Sequence, residues 1–139
     1  MTSDGRYCIT IYAVSDIMRP GKASGDAYYR IRAEKGGRVI KEQRYDVHFD
    51  ITTRNRSYME IVLMALKRIR AAGAKICIIL DYAFMVREFE RLSKRAQNGF
   101  ARTDGRPLRN KDLWEELSAA LDGYSWACRY KNRSDTKTP

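Results

Sequence analysis

The sequence is poor in the residues that build metal clusters and disulfide frameworks. Its 139 residues include one His and three Cys, with no pair of cysteines at close spacing. A structural zinc site needs two close pairs of such ligands, so this class of site is excluded. Cys8, Cys77 and Cys128 are odd in number, widely spaced and each set in an apolar stretch. They predict three buried, reduced thiols, as is usual in cytoplasmic proteins.

Long apolar runs and a leader-like N-terminus are also missing. No run reaches the roughly 18 to 20 apolar residues that are needed to cross a bilayer, which excludes a membrane-spanning protein. The first six residues lack the basic-then-apolar layout of a signal peptide. We therefore expect a cytoplasmic protein that has no membrane partner.

What the sequence has in excess is positive charge on an otherwise globular composition. There are 27 Lys and Arg against 17 Asp and Glu, giving a net charge of +10. Hydrophobic residues make up 44% of the chain and there are nine tyrosines, which excludes a disordered basic tail. The length predicts a single domain, with a core over residues 7–130 and a basic tail over 131–139. Such a charge indicates an acidic partner.

Strand patterns account for much of the chain. Residues 7–14 are β-branched and aromatic, which predicts a buried strand. Residues 27–34 and 38–47 alternate polar and apolar around Gly36-Gly37, which predicts a β-hairpin, because glycine adopts the positive φ angles of tight turns. The apolar run 75–80 predicts a central parallel strand, and residues 124–130 predict a final strand.

Apolar residues at helical spacing predict three helices. The first covers 58–72 and ends before Gly73, and the second covers 83–97 and ends before Asn98-Gly99. The third is capped by Asn110 and closed by Gly123. The order β-β-β-α-β-α-α-β predicts an α/β fold with a five-stranded mixed sheet. A three-strand meander comes first, α/β crossovers follow, and helices pack on the faces of the sheet.

Three motifs in this order of elements resemble the type 1 ribonuclease H family. Residues 25–29 (Gly-Asp-Ala-Tyr-Tyr) resemble the Gly-rich entry to that family's second strand. Residues 52–56 (Thr-Thr-Arg-Asn-Arg) are similar to its Thr-Asn-Asn-Arg turn before the first helix. Residues 105–114 (Gly-Arg-Pro-Leu-Arg-Asn-Lys-Asp-Leu-Trp) are similar to its Lys-Pro-Val-Lys-Asn and Asp-Leu-Trp pattern. The resemblance covers roughly residues 7–130 and implies a ribonuclease H-like fold.

The resemblance also implies a reaction that requires carboxylates. The positions of this chain that match them hold other residues. Family members cleave the RNA strand of RNA/DNA hybrids with two divalent ions, held by four carboxylates. The carboxylates of the first strand, first helix and fourth strand align with Val14, Tyr58 and Tyr82. The fourth is expected to fall beyond Pro139, since no closing helix is predicted within these residues, and the family's loop His aligns near Asn132.

Asp16, Glu60 and Asp81 lie near those positions and are the catalytic candidates if the chain is active with Mg²⁺ or Mn²⁺. Each would need its own local shift. One residue in a strand moves a side chain to the opposite face, and two residues on a helix turn it by about 200°. We therefore expect no metal and no other cofactor, and a degenerate catalytic centre.

Nucleic-acid contacts are predicted from a basic segment and from the turn before the first helix. Residues 87–111 hold eight Lys and Arg against three carboxylates, and clustered cations supply sequence-independent affinity for phosphates. The resemblance makes this segment a basic handle and brings the Asn55 position close to the 2′-hydroxyls of a hybrid. An ordinary solvated helix face and a polar helix cap show the same patterns. The predicted binding residues are Asn55, Arg56, Arg87, Arg91, Lys94, Arg95, Phe100, Arg102, Arg106 and Arg109.

Three functions follow as hypotheses. The leading one is a ribonuclease H-like protein that binds an RNA/DNA hybrid or structured nucleic acid and cleaves it weakly or not at all. The first alternative is an active, magnesium-dependent ribonuclease H. The second is an inhibitor or adaptor that uses the same scaffold to bind an acidic protein. A homodimer is compatible with each of them.

Overall fold

The computed structural model describes residues 6–102, 104–106 and 108–133. Five strands and four helices lie in these ranges. In chain order they are β1 (Tyr7–Ser15), β2 (Ala23–Lys35), β3 (Arg38–Thr52), α1 (Arg54–Lys67), β4 (Lys75–Leu80), α2 (Ala83–Glu90), α3 (Leu92–Gln97), α4 (Lys111–Leu121) and β5 (Ser125–Tyr130). In this part of the chain, no helix is long and apolar enough to cross a bilayer.

The strands form one mixed sheet in the order β3-β2-β1-β4-β5. β1, β2 and β3 pair antiparallel as a meander, whereas β1, β4 and β5 run parallel. Parallel neighbours need crossover connections, and the helices between β3 and β4 and between β4 and β5 supply them. The predicted five-stranded mixed sheet with packed helices is therefore confirmed.

The hydrophobic core lies between the sheet and the helices. Alternate residues of β1 point into it, and Ile9, Ile11 and Ala13 are all buried. Across the core, Phe89 of α2 meets Trp114 of α4 edge to face, with ring centroids 5.2 Å apart. This single core fixes the ends of β1 and β4 and the start of α1 relative to one another.

The first helix begins earlier than its apolar spacing predicts. α1 starts at Arg54 rather than at residue 58, because the Thr53 side chain accepts a hydrogen bond from the backbone N–H of Arg56 at 3.2 Å. This is an N-cap, which satisfies one of the free donors of the first turn. The polar turn over residues 52–56 thus builds the helix start and brings Asn55 and Arg56 into its first turn.

The second predicted helix is two helices. The prediction of one helix over 83–97 is wrong, because α2 ends at Glu90 and α3 begins at Leu92. Arg91 stands between them with φ −89° and ψ −1°, and its backbone N–H is shared between the carbonyls of Arg87 and Glu88. A donor shared in this way is common at helix ends, where the chain changes direction.

Two further sequence expectations are corrected. Asn110 precedes α4 with φ 60°, and its side chain makes no capping hydrogen bond. The expectation of three buried thiols fails as well, since only Cys128 is buried, Cys77 is half-buried and Cys8 is exposed. Cys8 alternates with Ile9 along β1, so it faces away from the core that buries its neighbour. All three cysteines are free.

Candidate functional site

The parallel strands β1 and β4 bring two carboxylates to one edge of the sheet. β1 ends at Ser15 and β4 ends at Leu80, so Asp16 and Asp81 follow neighbouring strands that run in the same direction. α1 crosses the same edge, because Ser57 packs against the end of β1 and Tyr58 is fully buried. In open α/β sheets, ligands bind outside the carboxyl ends of the strands, which makes this edge the first place to look for a site.

Asp81 is held from two sides. The Tyr58 hydroxyl donates to its Oδ1 at 2.6 Å, and Nε of Arg133 donates to its Oδ2 at 3.0 Å. Its side chain is 8% exposed. A carboxylate so poorly hydrated needs hydrogen-bond donors in place of water, and these two groups supply them.

Arg133 joins Asp81 to Asp16. Its Nη1 donates to Asp16 Oδ1 at 2.8 Å, and its Nη2 donates to the carbonyl of Ser15 at 2.8 Å. Burial opposes the charged form, but the hydrogen bond to Asp81 and the charges of Asp81 and Asp16 together raise the pKa of Arg133. A single guanidinium therefore bridges the two carboxylates that follow β1 and β4.

The phenol of Tyr58 completes the pocket as a neutral donor. Burial, together with the hydrogen bond to Asp81, raises the pKa of Tyr58 well above its usual value. The hydroxyl consequently remains protonated at physiological pH and donates to the carboxylate. The Tyr58 side chain is fully buried and reaches from α1 to the end of β4.

Two buried serines tie α1 to the end of β1. The Ser57 hydroxyl lies 2.7 Å from both Ser15 Oγ and the carbonyl of Arg54, and the backbone N–H of Ile17 donates to Ser15 Oγ at 3.2 Å. Ser57 can donate to the carbonyl while Ser15 donates to Ser57, which satisfies every buried hydroxyl in the chain of bonds. These residues fix the backbone around Asp16.

Glu60 stands apart from the other two carboxylates. It lies one turn along α1 from Arg56, with Glu60 Oε1 3.7 Å from Arg56 Nε. Within the described ranges, no three His, Cys, Asp or Glu side chains come close enough together to hold a metal ion. Asp16 and Asp81 thus meet on Arg133, whereas Glu60 belongs to a different ion pair.

The other two positions that the sequence aligns with family carboxylates, Val14 and Tyr82, carry no carboxylate. Val14 is buried, with 1% of its surface exposed. Tyr82 is half-buried, and its hydroxyl donates to Asn55 Oδ1 at 2.8 Å. The guanidinium of Arg54 stacks on the Tyr82 ring at 3.7 Å from the ring centroid, and the ring of Phe84, which is 41% exposed, lies 5.8 Å from the Tyr82 ring between centroids. A basic and aromatic surface therefore begins at the start of α1.

Arg56 connects α1 to α4. It forms two parallel hydrogen bonds to Asp112, at 3.2 and 2.8 Å, and a third to Asn110 Oδ1 at 3.3 Å. Such a two-point contact has the geometry that a guanidinium favours with a carboxylate. The hydrogen bonds from Arg56 lower the pKa of Asp112. The guanidinium of Arg56, which the sequence predicts to contact nucleic acid, is therefore hydrogen-bonded to residues of the chain itself.

Several arginines of the basic segment 87–111 also form ion pairs with carboxylates of the same segment. Arg95 pairs with Glu88 at 2.6 Å, and Arg91 lies 3.6 Å from the same carboxylate. Arg106 pairs with Asp104 at 2.6 Å, and Arg102 lies 3.9 Å from it. Each of these two carboxylates thus serves two arginines, which partly neutralises the predicted handle.

The other predicted binding residues divide between surface and core. Within the described ranges, Arg87, Lys94 and Arg109 form no salt bridge. Phe100 adopts φ 60° and is half-buried against the core, so most of its ring packs within the protein. Arg109 lines an open groove of about 360 Å³ with Arg54, Asn55, Tyr82 and Asn110.

Sequence reasoning missed Arg133, Ser15, Ser57 and Arg54. Arg133 was assigned to a basic tail, of which the structure describes residues 131–133 only. Its contact with Asp16 joins positions 117 residues apart, and no local pattern reports a pairing of that span. Arg54 did stand in the quoted turn motif, and its place beside Asn55 was the available signal.

Comparisons with known proteins agree with this fold. Over 84 residues the chain is 32% identical to a protein named ribonuclease H from Nitratidesulfovibrio vulgaris (strain DP4). The structure of the present chain matches that of LC9-RNase H1, a type 1 RNase H with the type 2 active-site motif. The TM-score is 0.74 and the identity 23%, over 95% of this chain and 66% of LC9-RNase H1. The chain has a ribonuclease H-like fold. The predicted resemblance is thereby confirmed in sequence and in fold.

The ribonuclease H-like fold is shared with a reverse transcriptase as well. The foamy viral protease-reverse transcriptase in complex with RNA/DNA hybrid matches with a TM-score of 0.65 and 16% identity, over 91% of this chain and 18% of that one. No protein-family model matches the chain. The alignment with the N. vulgaris relative spans 59% of this chain and 53% of the relative, so the chain covers about half the length of that protein.

Proposed function

We propose that the chain is a ribonuclease H-like nucleic-acid-binding protein that has lost two-metal cleavage. The observation that carries the second part is the arrangement of Arg133 and Tyr58 on Asp81. Two-metal hydrolysis needs several carboxylate oxygens free to bind Mg²⁺. Here both oxygens of Asp81 already accept hydrogen bonds, and Glu60 lies in another ion pair. These residues do not fit a two-metal centre.

Charge and surface chemistry support the binding part. The net charge of +10 favours a polyanion, and neutralisation of phosphates by Lys and Arg supplies most non-specific affinity. The groove at the start of α1 offers cationic Arg54 and Arg109 next to the amide of Asn55 and the ring of Tyr82. The curated relative is named ribonuclease H, and the reverse transcriptase with this fold was solved with an RNA/DNA hybrid. We propose the same class of ligand for this chain.

The structure changes which residues we expect to make those contacts. Arg54 and Arg109 line the groove, whereas Arg56, Arg95 and Arg106 are bound to carboxylates. A guanidinium that already bonds a carboxylate must break that pair before it can bind a phosphate. The strongest contributions are therefore expected from Arg54, Arg87 and Arg109, which form no salt bridge with any residue that the structure describes.

A binding titration tests this function. A labelled RNA/DNA hybrid, each duplex and each single strand are titrated from low to moderate salt. The affinity for the preferred ligand is expected to fall with a log–log slope of about −0.9 for each phosphate contact. Arg109→Ala is expected to weaken binding and to reduce this slope by about one contact. Lys41→Ala is the matched control, because Lys41 is exposed at the far end of the β2–β3 hairpin.

A cleavage assay on the same hybrid tests the loss of catalysis. Incubation with Mg²⁺ or Mn²⁺ is expected to leave the RNA strand intact. Cleavage that disappears in Asp81→Asn would favour the active ribonuclease H and contradict the proposal. Failure to bind any nucleic acid at low salt would instead favour the adaptor that binds an acidic protein.

A further inference from the structure

We infer that the Arg133 guanidinium is a built-in cation of this fold, which keeps the Asp16–Asp81 edge closed to divalent ions. The inference rests on the part of the proposed function that denies a two-metal centre, and it does not depend on nucleic-acid binding. It is carried by the geometry of three oxygens, contributed by Asp16, Asp81 and the backbone of Ser15. All three lie within 3.0 Å of one guanidinium.

The three oxygens are of the kind that a hard divalent cation prefers. Two belong to carboxylates and one to a backbone carbonyl, and Mg²⁺, Mn²⁺ and Ca²⁺ all take such ligands. A guanidinium is planar and permanently charged, and it offers donors in fixed directions. Nε, Nη1 and Nη2 of Arg133 each point at a different oxygen, so one side chain occupies all of them.

Loss of this cation would leave charge without compensation. Asp81 is only 8% exposed, and Tyr58 satisfies just one of its oxygens. Without Arg133, Asp81 and Asp16 would stand at the same edge as two anions with no positive charge between them. An uncompensated carboxylate as poorly hydrated as that of Asp81 is costly, and a divalent ion bound between it and Asp16 relieves that cost. Removal of Arg133 therefore creates a cation site that the native chain does not offer.

Four proteins test the inference: the full native chain, Arg133→Ala, Arg133→Ala combined with Asp81→Asn, and the control Arg129→Ala. Arg129 is exposed on β5 four residues earlier and carries the same charge. Binding of Mn²⁺ is measured from the electron paramagnetic resonance signal of the free ion. Thermal unfolding is recorded with and without MnCl₂ at fixed ionic strength.

The expected results separate the charge of Arg133 from its position. R133A should bind Mn²⁺ with an affinity about tenfold or more higher than the native chain and R129A, because it lacks the fixed positive charge between the carboxylates. It should unfold at a lower temperature than both, and MnCl₂ should restore part of the difference. The second substitution, D81N, should abolish the binding and the restoration.

Two results would overturn the inference. The first is Mn²⁺ binding by the native chain with the affinity of R133A, since Arg133 would then exclude no ion. The second is an R133A protein that binds no Mn²⁺ and unfolds like the native chain. If R133A does not fold without metal, Arg133→Lys provides the test. Its single ammonium cannot reach all three oxygens, so a lower unfolding temperature that MnCl₂ raises supports the inference, and an unfolding temperature equal to the native value contradicts it.

Discussion

The hydrogen bond from Tyr58 to Asp81 makes a sharp prediction for stability. Tyr58→Phe removes one oxygen atom and leaves the ring in place, so the core loses no packing. Asp81 then keeps Arg133 at Oδ2 but has no partner at Oδ1, although its side chain is 8% exposed. A buried acceptor that loses its donor incurs the cost of its lost hydration, which water cannot fully restore in so closed a place.

The magnitude follows from the charge on the acceptor. Hydrogen bonds to charged groups contribute about 1.5 to 3 kcal/mol, so we expect Y58F to lose roughly 2 kcal/mol of unfolding free energy. With a urea m-value of about 2 kcal/mol/M, the midpoint of unfolding would move by about 1 M. In thermal unfolding of a domain of this size, the same loss would lower Tm by roughly 5 to 10 °C.

Chemical unfolding, followed by far-ultraviolet circular dichroism, measures this loss. Tyr130→Phe is the matched control, because the Tyr130 hydroxyl also donates to a side chain, Asn132 Oδ1 at 2.7 Å, but in an exposed place. Water replaces that partner, so Y130F should stay within about 0.5 kcal/mol of the native chain. Equal urea midpoints for Y58F and the native chain, at equal m-values, would refute the stabilising role of the Tyr58–Asp81 bond.

Three further predictions concern the surface. Arg56→Ala should lower the free energy of unfolding by about 1 kcal/mol or less, because the pair with Asp112 is largely exposed. Since the pKa of Asp112 is lowered in the folded state, this contribution should be present above pH ~4 and vanish as the pH falls further. Urea midpoints of both proteins across pH measure it. The hydrogen bond to Asp26 raises the pKa of His48, so the stabilising effect of this bond should be complete below pH ~6.5 and lost as the pH rises through the folded-state pKa. NMR titration should show a lower His48 pKa in Asp26→Asn. Cys8 should react with a thiol reagent in the native protein before the other two thiols, whose pKa values burial raises, and equal rates for all three would contradict this order.

Most of the fold could be predicted because its signals are local. β4 has the predicted bounds, since a short continuous apolar run admits few other arrangements. The Gly36-Gly37 turn adopts the positive φ angles that its composition indicates, 60° and 77°. The break at Arg91 does not show in the sequence, because apolar residues keep helical spacing through 83–97 and an interruption of one residue leaves that spacing intact.

Only part of the candidate site could be predicted from the sequence. Alignment with the family motifs was sufficient to expect Tyr58 and Tyr82 at carboxylate positions, and the structure has Tyr58 filling the space beside Asp81. The pairing of Arg56 with Asp112 and of Arg133 with Asp16 could not be read in the same way. Both join distant segments through single side chains, whose partners depend on the packing of the whole domain.

The central position of β1 has a consequence for the order in which the chain folds. β1 pairs with β2 across a short connection, but with β4 only after about sixty residues have been synthesised and ordered. Contacts that close long loops form late and slow the folding of a domain. The meander is therefore expected to form first, and the contact of Arg133 with Asp16 to form last. A ribosome-bound chain halted after α1 would carry a structured hairpin and an unformed edge.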